Sequence, residues 1–220
     1  GFDKIAMGHY ARISEDENGK FHLLRGVDHN KDQTYFLSWL SQYQLSKAIF
    51  PIGELEKSQV RKIAKEIWLP NANRPDSQGL CFIGNVPIKQ FLMQKLPIKK
   101  GAIKTLEGKT VWEHDGAYFF TIGQKQGLGL NFKAYVYKID IENNTVYVVD
   151  REIPELNSST IKVKNRHRIW EEKSVWTRLT WKIRYLQNPP VNCILTKKEK
   201  SDLTFEFSSP QRAIAPGQVF

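Results

Sequence analysis

The sequence predicts an α/β part followed by β-rich parts, and three observations carry that prediction. Residues 1–80 alternate strand-like with helix-like segments, and in one of them Val60, Ile63, Ala64 and Ile67 recur at i, i+3, i+4 and i+7. From about residue 85 this gives way to short strands punctuated by glycine. Two cleanly alternating runs, residues 134–140 and 145–149, flank Glu142-Asn143-Asn144, which is a hairpin signal. The expected division is an α/β part over 1–84, a β-rich central part over 85–150, and a small C-terminal β-barrel over 151–220.

The elements follow in order. Ile5-Ala6-Met7-Gly8 reads as the end of a buried strand. Asp32 is placed to cap a helix carrying Tyr35, Phe36, Trp39 and Leu40 on one face, and Ser41 to cap a second, short helix ending near Phe50-Pro51. Pro51-Ile52-Gly53-Glu54 is a turn, and the third helix, centred on Ile63, is expected to stop at Pro70. Residues 86–92 predict one last short helix. Strands are expected at residues 99–103, 109–112 and 117–120, then in the hairpin, then at 181–185 and 203–207. A strand reached after four residues, and another just starting at Pro216-Gly217-Gln218-Val219-Phe220, read as cut ends, so the chain is expected to be a piece of a longer one.

Composition narrows the function classes. In 220 residues the net charge is +10, which favours a polyanionic partner, most simply nucleic acid. No apolar run approaches the roughly 18 residues that span a bilayer, and no signal peptide opens the sequence, so a cytoplasmic place without membrane contact is expected. Two cysteines make no disulfide scaffold, and with no CxxC spacing or Cys/His cluster no metal site is expected.

One thiol stands out. Cys81 lies in Arg74-Pro75-Asp76-Ser77-Gln78-Gly79-Leu80-Cys81-Phe82-Ile83-Gly84, after a turn-forming stretch, between two glycines, and downstream of a positive charge. That setting suits an approachable thiolate, although a small buried hydrophobe explains it too. Gly8 directly follows the opening strand, where an open α/β sheet lines its ligand crevice, and a plain turn is the alternative. Lys31-Asp32-Gln33 could meet a phosphate and a base edge, or merely start a helix. Residues 121–129, Thr-Ile-Gly-Gln-Lys-Gln-Gly-Leu-Gly, form a tight polar loop fit for a phosphate backbone or a barrel corner, without the spacing of a P-loop. Arg166, His167, Arg168, Trp170, Arg178, Trp181, Lys182, Arg184 and Tyr185 interleave cations with rings, which suits RNA neutralisation plus stacking as well as it suits a solvated strand face. On a strand, Lys182 and Arg184 would face away from Trp181, Ile183 and Tyr185. Cys193, in the apolar run Val191-Asn192-Cys193-Ile194-Leu195, reads as core.

Six segments in order resemble the tRNA-specific 2-thiouridylases. They are Met7-Gly8-His9-Tyr10-Ala11-Arg12; Gly26-Val27-Asp28 with Lys31-Asp32-Gln33-Thr34-Tyr35-Phe36-Leu37; and Phe50-Pro51-Ile52-Gly53-Glu54-Leu55. Asp76-Ser77-Gln78-Gly79-Leu80-Cys81-Phe82-Ile83-Gly84, residues 121–129 and residues 210–218 complete the set. The resemblance implies the C-terminal half of a PP-loop ATPase-type α/β domain, then a β-rich domain and a β-barrel. It implies ATP, accompanied by Mg2+, adenylating the C2 oxygen of the wobble uridine at tRNA position 34, followed by sulfur transfer from a protein persulfide. By position Cys81 is the persulfide cysteine, Gly8 a nucleotide contact, and Lys31, Asp32, Gln33, Arg184 and Tyr185 contacts to the anticodon stem-loop. A cysteine desulfurase or a sulfur-relay protein is the implied donor. The family's Ser-Gly-Gly-x-Asp-Ser phosphate loop and its first catalytic cysteine are not in this sequence, so the chain alone is expected not to thiolate tRNA. Two other readings compete: a non-catalytic RNA-binding β-barrel protein, and a thiol redox protein, which the charge and the missing resolving cysteine disfavour.

Overall fold

A computed structural model describes residues 1–74, 87–164, 167, 169, 173–185, 187, 189–199 and 202–217. Its chain divides into two units, one made of Gly1–Arg74 with Thr160–Ser209 and the other of Pro75–Ser159 with Pro210–Gln218.

The first unit begins with β1 (Ile5–Ala6), β2 (Ala11–Glu15) and β3 (Phe21–Arg25). β2 and β3 form an antiparallel hairpin whose turn is tied by Asp16, which accepts from the amides of Asn18 and Lys20. Next come α1 (Gln42–Lys47), β4 (Ala48–Ile49) and α2 (Lys57–Glu66). β1 and β4 pair in parallel. The opening strand is present, but its expected burial is not: Ile5 is 65% exposed. Ala11, Leu23, Leu37, Leu45 and Phe50 make the core, joined by Ile169 from the far end of the chain. Gln42 holds that joint, donating to the carbonyls of both Phe21 and Ile169 at 2.7 Å.

Ser41 caps α1 as expected, in a capping box with Gln44. The helix expected after Asp32 is instead a single 3₁₀ turn, Thr34–Leu37. Leu37 is the buried residue, while Phe36 and Trp39 are exposed. The periodic rings suggested a helix face, but the chain makes a single 3₁₀ turn over Thr34–Leu37 before Ser41 starts the next helix.

α2 carries Val60, Ile63 and Ala64 of the predicted apolar positions, with Ile67 as its C-cap, and buries none of them. It also ends before Pro70. Trp68 adopts a left-handed φ of 57°, its amide donates to Lys65, and the Leu69 amide donates to Ala64. This is a Schellman motif with tryptophan where glycine is usual. Because Trp68 is 90% exposed, Trp68→Gly should relieve backbone strain and raise stability by about 1 kcal/mol. Urea unfolding measures this, and a loss of stability would show that the indole is needed where it stands.

The second unit holds α3 (Ile88–Met93), β5 (Gly101–Lys104), β6 (Thr110–His114), β7 (Tyr135–Asp140) and β8 (Thr145–Val149). The strands order as β6-β5-β8-β7, with β5 and β8 parallel. Ile103, Ala117, Leu128, Ala134, Val136, Val146 and Val148 form the core. The predicted hairpin is there. Asn144 turns it with a left-handed φ of 47°, and its buried amide donates to Lys99 and Lys100 while accepting from Ala117. That last bond corrects one expectation: Ala117–Phe119 is a 3₁₀ turn, not a strand.

β9 (Asn157–Val163), β10 (Arg178–Trp181), β11 (Val191–Glu199) and β12 (Asp202–Arg212) form a four-stranded sheet ordered β10-β11-β12-β9. The strand expected over 181–185 stops at Trp181, whose ring packs edge-on against Phe205. Ile183 is buried and its amide donates to the Gln187 side chain, which bends the chain away from the sheet. The two-faced strand arrangement of Lys182 and Arg184 is therefore replaced by a turn.

Candidate nucleic-acid interface

Within the first unit, three of the six segments set out above meet around Tyr10 and Ala11. Gln33 clamps Tyr10 twice, its backbone N–H donating to the Tyr10 carbonyl and its Oε1 accepting the Tyr10 N–H at 3.1 Å. Gly26 lies against the Tyr10 carbonyl and Gly53 against the Ala11 carbonyl. The Val27 amide donates to Gly53, and Asp28 accepts from the amide of Lys57 at the start of α2.

Asp32 sits inside this framework, its side chain 1% exposed. Oδ2 accepts from Arg25 Nε at 3.1 Å and from Lys182 Nζ at 3.0 Å. Oδ1 accepts from the hydroxyl and amide of Thr34 and from the amide of Gly26. Burial pushes this carboxyl's pKa up, but the hydrogen bonds from Lys182 and Thr34 outweigh it and leave the pKa below the ordinary value. Lys182, 14% exposed, is 150 residues away in sequence. A second link runs beside it: the Tyr185 ring lies 4.6 Å from Phe36 and 6.4 Å from Tyr35. A third joins Trp39 to His167, stacked at 5.4 Å and 27°, with His167 Nε2 donating to the Leu40 carbonyl at 3.1 Å. The segment at 31–37 and the turn at 182–185, read separately in the sequence, thus share one neighbourhood.

The individual site residues fare differently. Arg184 is exposed beside the buried Ile183, with half-buried Tyr185 next to it. Gln33 spends its carbonyl end on Tyr10, and its amino end is the donor half of the same side chain. Asp32 turns its carboxylate inward, so direct contact with a polyanion is not what its geometry offers. Gly8 is exposed, and an added Cβ there would meet nothing within 4 Å. Neither crowding nor a left-handed backbone is present at that glycine. Cys81 with its neighbours, and Arg166, Arg168 and Trp170, lie outside the described residues.

Cys193 is core, as expected. It is 2% exposed, and burial pushes its thiol up to about 11. The loop at 121–129 is built as a corner. Gln124 accepts from the Thr121 amide and donates to the Gln126 carbonyl, Leu128 is buried, and Gly123 packs on Ala213 from the 210–218 segment. Its tip, Lys125, Gln126 and Gly127, is exposed. Sequence reasoning missed Arg25 and Trp39 as members of the site, since nothing local distinguishes a strand-end arginine or a tryptophan just past a 3₁₀ turn. Among the described residues no Asp, Glu, His and Cys group could hold a metal, and no helix is long and apolar enough to cross a membrane.

Residues 1–85 match the tRNA methyl transferase HUP domain, 89–150 the tRNA methyl transferase PRC-barrel domain, and 151–220 the aminomethyltransferase beta-barrel domain. The tRNA-specific 2-thiouridylase MnmA of Cupriavidus taiwanensis is 42% identical over 234 residues, covering 99% of this chain and 63% of that protein. The protein of the same description from Streptococcus pyogenes serotype M49 is 43% identical over 228 residues, covering 100% of this chain and 61% of its own length. The chain thus spans less than two thirds of the length of these curated relatives.

Proposed function

The chain belongs to the tRNA-specific 2-thiouridylase family, and from that premise we propose that it serves 2-thiolation of the wobble uridine of tRNA as part of a tRNA-uridine 2-sulfurtransferase. The observation that carries the reading is the meeting of residues 31–37 with residues 182–185 in one basic and aromatic neighbourhood. Lysine, arginine and exposed rings side by side suit an RNA loop, whose phosphates need cations and whose unpaired bases need stacking partners. Lys31, Gln33, Arg184 and Tyr185 are its contacts to the anticodon stem-loop, and Asp32 belongs to the same segment.

The chemistry assigned to the site is adenylation followed by sulfur transfer. ATP is a co-substrate, and open, exposed Gly8 at the end of β1 fits close approach by a nucleotide. Mg2+ accompanies ATP. Transfer of the adenylyl group to the uracil C2 oxygen, with pyrophosphate leaving, turns a poor leaving oxygen into a good one. The outer sulfur of a Cys81 persulfide then attacks C2, and AMP departs with the oxygen. Cleaving the remaining S–S bond takes another thiol, and Cys193, buried and held protonated, is unsuited to supply it. The persulfide is charged by a cysteine desulfurase or a sulfur-relay protein, in the cytoplasm. The parts at 1–84, 85–150 and 151–220 are then the rest of a PP-loop type nucleotide-binding domain, a β-rich domain and a C-terminal β-barrel, a division that the three family matches support.

Arg184→Ala tests the RNA half of this reading. It should weaken binding of an anticodon stem-loop several-fold and lower the salt slope by about one, while leaving sulfur loading on Cys81 unchanged. Filter binding across a salt series, with loading measured in parallel, reads both. Loss of both together would indicate misfolding, and loss of neither would remove Arg184 from the interface.

A further inference from the structure

Asp32 poses a problem for a surface that binds a polyanion: it is a carboxylate in the centre of a basic cluster. We propose that Asp32 is a positioning residue, a buried clamp that fixes the turn at 182–185 against residues 31–33 so that cations and rings from both form one RNA-reading surface. The proposal rests on the tRNA reading above and assigns Asp32 a role other than contact.

Its geometry supports a clamp. Both oxygens are occupied from inside, Oδ2 by Arg25 and Lys182, Oδ1 by Thr34 and Gly26, and the side chain is 1% exposed. A phosphate would be repelled by this charge and cannot reach it, whereas Lys182 already does. Lys182 is held between Trp181, whose ring packs on Phe205, and buried Ile183, so fixing its ammonium fixes the backbone that carries Arg184 and Tyr185. Tyr185 closes against Phe36 beside the clamp. The pair also has an electrostatic consequence, because Arg25 and Lys182 spend charge on Asp32 that would otherwise be offered to RNA without regard to its shape.

The test is a double-mutant cycle in this chain with Asp32→Asn and Lys182→Met. The RNA probes are a stem-loop bearing an unpaired uridine at the wobble position and a blunt duplex of equal length. Asp32→Asn should lower the preference for the stem-loop over the duplex about tenfold, within the range of coupled neighbours, and raise the salt slope by about one as a freed cation reaches phosphate. In the Lys182→Met background the same change should alter the preference by less than about twofold. Lys182→Met alone should also lose preference without lowering the salt slope, because a lysine spent on Asp32 neutralises no phosphate. Lys182→Arg should restore the preference. The Lys182 pair keeps the proposal falsifiable if Asp32→Asn fails to fold.

Equal loss from Asp32→Asn in both backgrounds would overturn the clamp, since Asp32 would then act on RNA independently of Lys182. So would a salt slope that drops in Lys182→Met. A native chain that binds neither RNA would overturn the tRNA reading itself and the clamp with it; a native chain that prefers the stem-loop, with Asp32→Asn unchanged, would overturn the clamp alone.

Discussion

When the chain is incubated with a cysteine desulfurase and radiolabelled cysteine, Cys81→Ser is expected to abolish reductant-labile label and Cys193→Ser to leave it intact. The contrast between the two thiols is the basis of this expected result. Cys193 pairs in register with Leu179 and Phe207 across a four-stranded sheet, is 2% exposed, and has its thiol pushed up to about 11 by burial. A thiol that weak an acid is almost entirely protonated at neutral pH, and the thiolate is the form that attacks a donor persulfide. Cys81 has the opposite setting in sequence, with glycines on both sides and Arg74 upstream. The expected drop is to background, and scintillation counting of the separated protein before and after dithiothreitol measures it. Label persisting in Cys81→Ser but lost in Cys193→Ser would reverse the assignment. No label on a folded native chain beside an active desulfurase would favour the non-catalytic RNA-binding reading.

What the sequence made legible here was local. Ser41 was legible as a cap because its partner amide lies within one turn, while the reciprocal bond from Gln44 came from the structure. The 134–149 hairpin was legible because alternation and turn residues are adjacent. The misreadings have long-range causes. Residues 117–120 look like a strand until Asn144, 27 residues on, takes the Ala117 amide and closes a 3₁₀ turn. Residues 181–185 alternate like a strand, but burial of Ile183 and the pull of Asp32 on Lys182, 150 residues away, bend them out of the sheet. The same distance hid the interface: its two segments each read as ambiguous, and only the fold puts them together. The short motif phrases, by contrast, are legible as a family signature without revealing which of their residues hold the framework and which face a ligand.

Two glycines in those phrases separate the roles, and Gly53→Ala gives the larger expected effect. A Cβ at Gly53 would stand 1.8 Å from the Ala11 carbonyl oxygen and 2.8 Å from its carbon. These are backbone atoms of β2, opposite Arg25 in the hairpin register, and they cannot rotate away as a side-chain tip would. Relief must come from moving the turn after Phe50, which also breaks the bond from Val27 to the Gly53 carbonyl and loosens Gly26 against Tyr10. Overpacking of this kind costs roughly 1–3 kcal/mol and sometimes more, and the entropy that alanine removes from the unfolded chain returns only about 0.4–1 kcal/mol. Gly53→Ala should therefore lose about 2 kcal/mol or more in urea unfolding, with RNA binding falling as the framework around Tyr10 loosens. Gly8→Ala is the matched control. With nothing within 4 Å of its added methyl, it should leave stability within about 0.5 kcal/mol of the native chain. If Gly8→Ala were as destabilising as Gly53→Ala, Gly8 would be a packing glycine, and its assignment to the nucleotide would fall.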